Sequence, residues 1–173
     1  MAALSSCSAL PGSGSDPGPG KGDASGPTYQ EALEAMLPGV QEAVRQVMPG
    51  VEPGELSKGG TNCGGPDFSD GKDASKVRFE YQLDLTGPSS DRRTPQELAS
   101  GVVTHLTGRG GWEVEQREGS DTPDPSGMVT KYVKKQGSGL VVVRAYPFTT
   151  TSGEVVPKLG ADILTDCLRN PKY

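Results

Sequence analysis

Apolar residues recur along the chain at two spacings, and each spacing predicts one kind of secondary structure. Thr28 and Glu31 form a capping box, after which apolar side chains follow three or four positions apart, as on one face of an α-helix. Thr94 and Glu97 form a second capping box, with Pro95 at the first helical position. We therefore expect two amphipathic helices. Their apolar stripes are Leu33, Met36, Leu37, Val40, Val44 and Val47 in the first and Leu98, Val102 and Leu106 in the second.

Prolines and glycines set the expected limits of these helices. Pro38 lacks a backbone N–H and should kink the first helix near its middle, and Pro49-Gly50 should end it. The second helix should run over residues 95–107 and stop before Gly108. A partner-binding helix would carry the same stripe, but packing on a sheet of the same chain is the commoner arrangement.

Strict alternation of apolar and polar residues over 77–85 predicts a strand with one buried face. Later β-rich runs, separated by turn residues such as those at 135–139, predict sequential antiparallel hairpins; they cover residues 112–117, 128–134, 140–146 and 155–164. The fold class is therefore α+β, with an antiparallel sheet of about five strands and two helices packed on one face. The expected core residues are Val77, Phe79, Tyr81, Leu83, Leu98, Val102, Leu106, Trp112, Val114, Val141, Val143, Leu159, Ala161 and Ile163.

Composition narrows the class of partner. The 25 Gly and 15 Pro are too many for a core, so we expect the excess to lie outside it. The net charge is −5 and basic residues form no run longer than Arg92-Arg93 or Lys134-Lys135, which argues against a nucleic-acid partner. Ile163 is the single isoleucine among many Gly, Ala, Val, Asp and Arg residues, a bias typical of a GC-rich, actinobacterial genome.

The N-terminal residues predict a tether. Residues 11–26 are almost wholly Gly, Ser, Pro and Asp, so we expect a disordered linker over residues 1–27 and a single domain over residues 28–173. Leu4-Ser5-Ser6-Cys7 resembles the lipobox of bacterial lipoproteins, which implies that Cys7 carries diacylglycerol and anchors the chain at the membrane. A complete signal has an apolar stretch of about 7–15 residues before the cysteine. Only six residues precede Cys7, so we expect a trimmed or misassigned start; the alternative is a free cysteine in a flexible tail.

Cysteine arithmetic supports the anchor. The chain has 3 cysteines, and a lipidated Cys7 leaves Cys63 and Cys167 to form a disulfide. Such a disulfide persists only in an oxidising compartment, which predicts an exported protein. The alternative is a cytosolic protein with two unpaired thiols. No apolar run has the length of a transmembrane helix, so membrane attachment depends on Cys7.

Candidate chemistry is sparse. His105 is the only histidine, so any catalytic triad would use it as the base, but its place at the edge of an apolar stripe favours a partly buried structural role. Zinc normally requires three or four Cys, His or carboxylate ligands, and the Cys and His residues of this chain are too few and too scattered to supply them. The carboxylates Asp67, Asp70 and Asp73 surround Gly71, yet they lack the spacing of a calcium-binding loop and favour a solvated turn. We therefore expect no catalytic residue, no metal site and no cofactor.

Two further groups of charged residues have alternative interpretations. The carboxylates near Trp112 would support glycoside hydrolysis only if two of them opposed each other across a cleft; they are Glu113, Glu115 and Glu118. Three lysines near a hairpin would receive an anionic partner or a lipid head group, although such lysines commonly protect a sheet edge; they are Lys131, Lys134 and Lys135.

Short motifs along the folded region resemble the small actinobacterial lipoproteins of the LppA-like kind. They are the Asn-Cys-Gly-Gly turn at residues 62–65, Gly-Gly-Trp at 110–112 after a helix, and the late Cys167. The resemblance implies a surface-anchored protein with a disulfide and assigns no activity. The expected function is therefore a non-enzymatic, lipid-anchored protein on the extracytoplasmic face that binds a protein, a lipid or an envelope glycan. The alternatives are a cell-envelope hydrolase that uses carboxylates and an unanchored soluble binding domain.

Overall fold

The computed structural model describes residues 26–63, 75–120 and 122–172. Its two helices are α1 (Tyr29–Val47) and α2 (Pro95–Thr107), and both begin as the sequence predicts. In the first capping box the Thr28 N–H donates to Glu31 at 2.7 Å, and the Glu31 N–H donates to the Thr28 hydroxyl at 3.2 Å. The helix α1 continues through Pro38.

The strands among the described residues are β1 (Gly54–Asn62), β2 (Lys76–Thr86), β3 (Trp112–Val114), β4 (Val129–Lys135), β5 (Gly139–Thr149), β6 (Val155–Thr165) and β7 (Leu168–Arg169). These seven strands form one antiparallel sheet in the order β1-β2-β6-β5-β4-β3, and the short β7 pairs with β2 beyond the end of β6. The α+β prediction is confirmed, while the sheet has two strands more than the predicted five because β1 and β7 were not foreseen.

Both helices cover the same face of the sheet. Odd-numbered residues of β2, β5 and β6 point toward the helices and enter one hydrophobic core with the buried stripes of α1 and α2. Eleven of the fourteen predicted core residues are buried. Val114 is a wrong prediction: it ends the edge strand β3, which has a neighbour on only one side, and is 48% exposed. Phe79 and Tyr81 are half-buried, and Tyr29 stacks on Phe79 with ring centroids 5.4 Å apart.

Candidate functional site

A disulfide joins Cys63 to Cys167, with the two Cα atoms 5.9 Å apart, so the predicted pairing is confirmed. Cys63 follows β1 directly, and its backbone N–H donates to the carbonyl of Lys76 at 2.9 Å. Cys167 lies in the short connection between β6 and β7. The bond therefore ties the edge strand β1 to the C-terminal segment, where β7 replaces β6 beside β2.

Several predicted features lie outside the described residues. They include the lipobox with Cys7, most of the predicted tether, and the carboxylates Asp67, Asp70 and Asp73. Within residues 26–63, 75–120 and 122–172, no group of three or more His, Cys, Asp or Glu side chains is placed to hold a metal ion. Neither α1 nor α2 is long and apolar enough to cross a membrane.

His105 lies in the last turn of α2 and is half-buried. Its Nε2 atom is buried and has no hydrogen-bond partner among the described residues. A catalytic base of the triad type needs a nucleophile within about 2.6–3.2 Å, and no described side chain donates to this nitrogen.

Two of the three carboxylates near Trp112 lie beside basic residues. Glu113 lies directly opposite Lys134 in the β3–β4 ladder. Glu115 accepts a hydrogen bond from the Nε atom of Arg117 at 2.7 Å. Both of these carboxylates therefore have basic neighbours, which differs from the opposed acid pair that glycoside hydrolysis needs.

The hairpin lysines divide between the two faces of the sheet. The Nζ atom of Lys135 donates to the backbone carbonyl of Ala35 in α1 at 2.7 Å and lies 5.1 Å from the centroid of the Trp112 ring. Lys134 points to the opposite face and is exposed. Lys135 therefore stabilises the contact between α1 and the sheet, and Lys134 alone of these two is placed to meet a ligand from the uncovered side.

The sheet face that carries no helix is called the outer face here; it consists of the even-numbered residues of β2, β4, β5 and β6. Arg144 forms an ion pair with Asp162 across β5 and β6. Lys158 donates a hydrogen bond to Asp84 at 2.8 Å, and this bond raises the pKa of Lys158. Between these pairs lie five half-exposed apolar and aromatic side chains, namely Tyr132, Leu140, Val142, Tyr146 and Leu164. The outer face is therefore neither a fully polar, solvated surface nor a buried core.

One end of the outer face contains a cavity of about 290 Å³, which we call the basic recess. Lys134, Leu140 and Leu164 lie side by side on β4, β5 and β6, since Lys134 pairs with Leu140 and Leu140 with Leu164. Arg78 on β2 and Arg117, after β3, complete the wall together with Glu115 and Asp166. Three cationic and two anionic side chains therefore surround an apolar floor.

A second hollow of about 200 Å³ lies beside the N-terminus of α2. Its Arg93 donates to the backbone carbonyl of Val47 at 2.5 Å and forms an ion pair with Asp91. The hydrogen bond from Arg93 lowers the pKa of the Asp91 carboxyl. These two charged groups already stabilise the contact between α1 and the start of α2, so the basic recess is the better candidate site.

The sequence did not indicate Arg78 and Arg117 as site residues. Arg78 alternates with apolar residues in β2 as any solvated strand residue does, and Arg117 follows β3 in an irregular segment. Comparison of the chain with protein-family models, with curated proteins and with solved structures gives no significant match.

Proposed function

We propose that this chain is a lipid-anchored protein of the extracytoplasmic side of a bacterial membrane, whose folded domain binds an envelope component through the outer face. The observation that carries the proposal is the disulfide between Cys63 and Cys167. Disulfides persist in exported proteins and are rare in the reducing cytosol. Since the chain has 3 cysteines, the disulfide leaves Cys7 as the one available for acylation.

The form of the sheet supports a binding role. Two helices cover one face, and the outer face exposes half-buried apolar side chains between ion pairs such as Arg144–Asp162. Mixed surfaces of this kind are typical of contacts that form and dissociate, because the apolar part supplies affinity and the charges supply register. The hydrolase alternative gains no support from Glu113 and Glu115, which lie beside basic residues.

Intact-mass analysis of the full-length protein isolated from its native host tests the proposal. We expect the added mass of a diacylglyceryl group on Cys7. We also expect a mass two hydrogen atoms below that of the reduced chain, which would be assigned to the disulfide between Cys63 and Cys167. The matched control is Cys7→Ser expressed in the same host, which should lose the acyl mass and partition into the aqueous phase while retaining the disulfide. An unacylated Cys7 in the native protein would overturn the anchor, and three alkylatable thiols would overturn the exported location as well.

A further inference from the structure

We propose that the basic recess binds an anionic group, a phosphate or a carboxylate, carried on a ligand with a short apolar stem. This inference deepens the proposed binding role by naming its ligand class. It does not depend on the anchor at Cys7, because all residues of the recess lie between Arg78 and Asp166.

Two of the three cations of the recess have no polar side-chain partner within the part of the chain that the structure describes. Arg78 and Lys134 make no side-chain hydrogen bond or ion pair with any described residue, although both line the same cavity. Each would donate charge-assisted hydrogen bonds, which are stronger than bonds between neutral groups. Lys134 has the Glu113 position opposite it on β3, but neither cation forms an ion pair with a described residue, and a bound anion would stabilise this arrangement from β2 and β4.

Arg117 is held in place before any ligand arrives. Its Nε and Nη2 atoms both contact Glu115, and its guanidinium carbon lies 4.6 Å from the centroid of the Tyr132 ring. These contacts fix the plane of the guanidinium and leave Nη1 as a donor. A donor that is already oriented loses less conformational entropy on binding than a mobile one.

The floor of the recess explains why the ligand should carry an apolar stem. Leu140 and Leu164 are adjacent across β5 and β6 and are half-exposed on the outer face. Burying them further against a hydrocarbon segment would be favourable in proportion to the area removed from water. The cavity of about 290 Å³ is just below the range of about 300–1,000 Å³ for small-molecule sites, so it fits one charged group and a short stem.

Asp166 should weaken the affinity of the basic recess for an anion. It is the one carboxylate of the recess that is not held by Arg117, and its backbone N–H donates to the carbonyl of Ser138 at 2.9 Å, which fixes its position. A negative charge at this place opposes a bound anion. Replacing Asp166 by asparagine should therefore tighten binding rather than weaken it.

The test uses the full chain with Cys7→Ser and the disulfide intact, so that no acyl group contributes to membrane binding. One arm adds inorganic phosphate and follows the methyl resonances of Leu140 and Leu164 by NMR. The other arm measures co-sedimentation with vesicles of phosphatidylglycerol and phosphatidylcholine against vesicles of phosphatidylcholine alone. Shifts with phosphate would identify a free anion as sufficient, whereas binding only to the anionic vesicles would identify a lipid head group.

In either arm we expect the paired change Arg78→Gln and Lys134→Gln to weaken binding about tenfold or more, since two charge-assisted hydrogen bonds are lost. The control pair, Arg45→Gln and Lys172→Gln, removes the same charge at two residues that line neither of the two cavities and should leave binding unchanged. Asp166→Asn should increase affinity, a gain that misfolding would not produce. Absence of binding to both probes, or an equal loss in the two paired variants, would overturn the proposal.

Discussion

The hydroxyl oxygen of Thr165 accepts a hydrogen bond from the backbone N–H of Phe79, with 2.8 Å between oxygen and nitrogen. The β2–β6 ladder ends where Glu80 pairs with Leu164, and the β2–β7 ladder resumes where Val77 pairs with Leu168. Phe79 lies between the two ladders, so the Thr165 side chain supplies the acceptor that no strand carbonyl provides there. Thr165 is only 1% exposed, which leaves little room for water to take its place.

Replacing Thr165 with valine should lower the free energy of unfolding by about 1–3 kcal/mol, because the Phe79 amide loses its acceptor while the size of the side chain is kept. Urea unfolding monitored by circular dichroism measures the change. Thr86→Val, at the exposed end of β2, is the matched control and should have little effect. Equal midpoints for the two variants would show that the hydrogen bond does not stabilise the junction.

The disulfide should account for a large share of the stability of the domain. The paired change Cys63→Ser and Cys167→Ser should lower the free energy of unfolding by about 2–5 kcal/mol, since the bond closes a long loop of the unfolded chain. Unfolding of the unmodified protein with and without a thiol reductant measures the same difference. Cys7→Ser should leave the midpoint unchanged, and a reductant that had no effect would contradict the prediction.

Gly139 should not tolerate a side chain. Its φ is +154°, and a Cβ atom built there would approach the backbone carbonyl oxygen of Leu164, which cannot move without breaking the β5–β6 ladder. Gly139→Ala should therefore lower the free energy of unfolding by about 3 kcal/mol. Gly59→Ala is the control, since a Cβ there meets nothing within 4 Å. Thermal unfolding that ranked the two variants equally would refute this account of β5.

The capping boxes should make the stability of the protein sensitive to acid. Hydrogen bonds from the backbone N–H groups of Thr28 and Thr94 lower the pKa of Glu31 and Glu97 below the ordinary value of 4.5. On acidification the unfolded chain therefore binds protons at these sites before the folded chain does, so the free energy of unfolding falls as the pH drops through the folded-state values.

The paired change Glu31→Gln and Glu97→Gln should flatten this acid dependence, because glutamine keeps the capping geometry and does not titrate. Urea midpoints measured at intervals below about pH 5 would show the smaller slope. Glu34→Gln, which lies on α1 and takes no part in the capping box, is the control. A slope that the capping variants left unchanged would assign the acid sensitivity to other groups.

Local interactions explain what was predictable from the sequence. A capping box joins residues three positions apart, so Thr28 with Glu31 and Thr94 with Glu97 fixed both helix starts without knowledge of the rest of the fold. Alternation identified β2, and the turn residues at 135–139 identified the β4–β5 hairpin, whose observed turn covers residues 136–138. The disulfide followed from counting cysteines, provided that Cys7 was set aside for another role.

The tertiary structure alone decided where β1 lies and which residues form the basic recess. All nine residues of β1 are exposed, so no alternation marks it, and it exists as a strand because β2 supplies its hydrogen bonds. Arg78 lies near Arg117 and Lys134 only because β6 and β5 are placed between β2 and β4. Side-chain periodicity in the sequence indicates whether a residue is buried. Which residues lie next to each other on a sheet face depends instead on strand order. Strand order is set by contacts between residues that are distant in the chain.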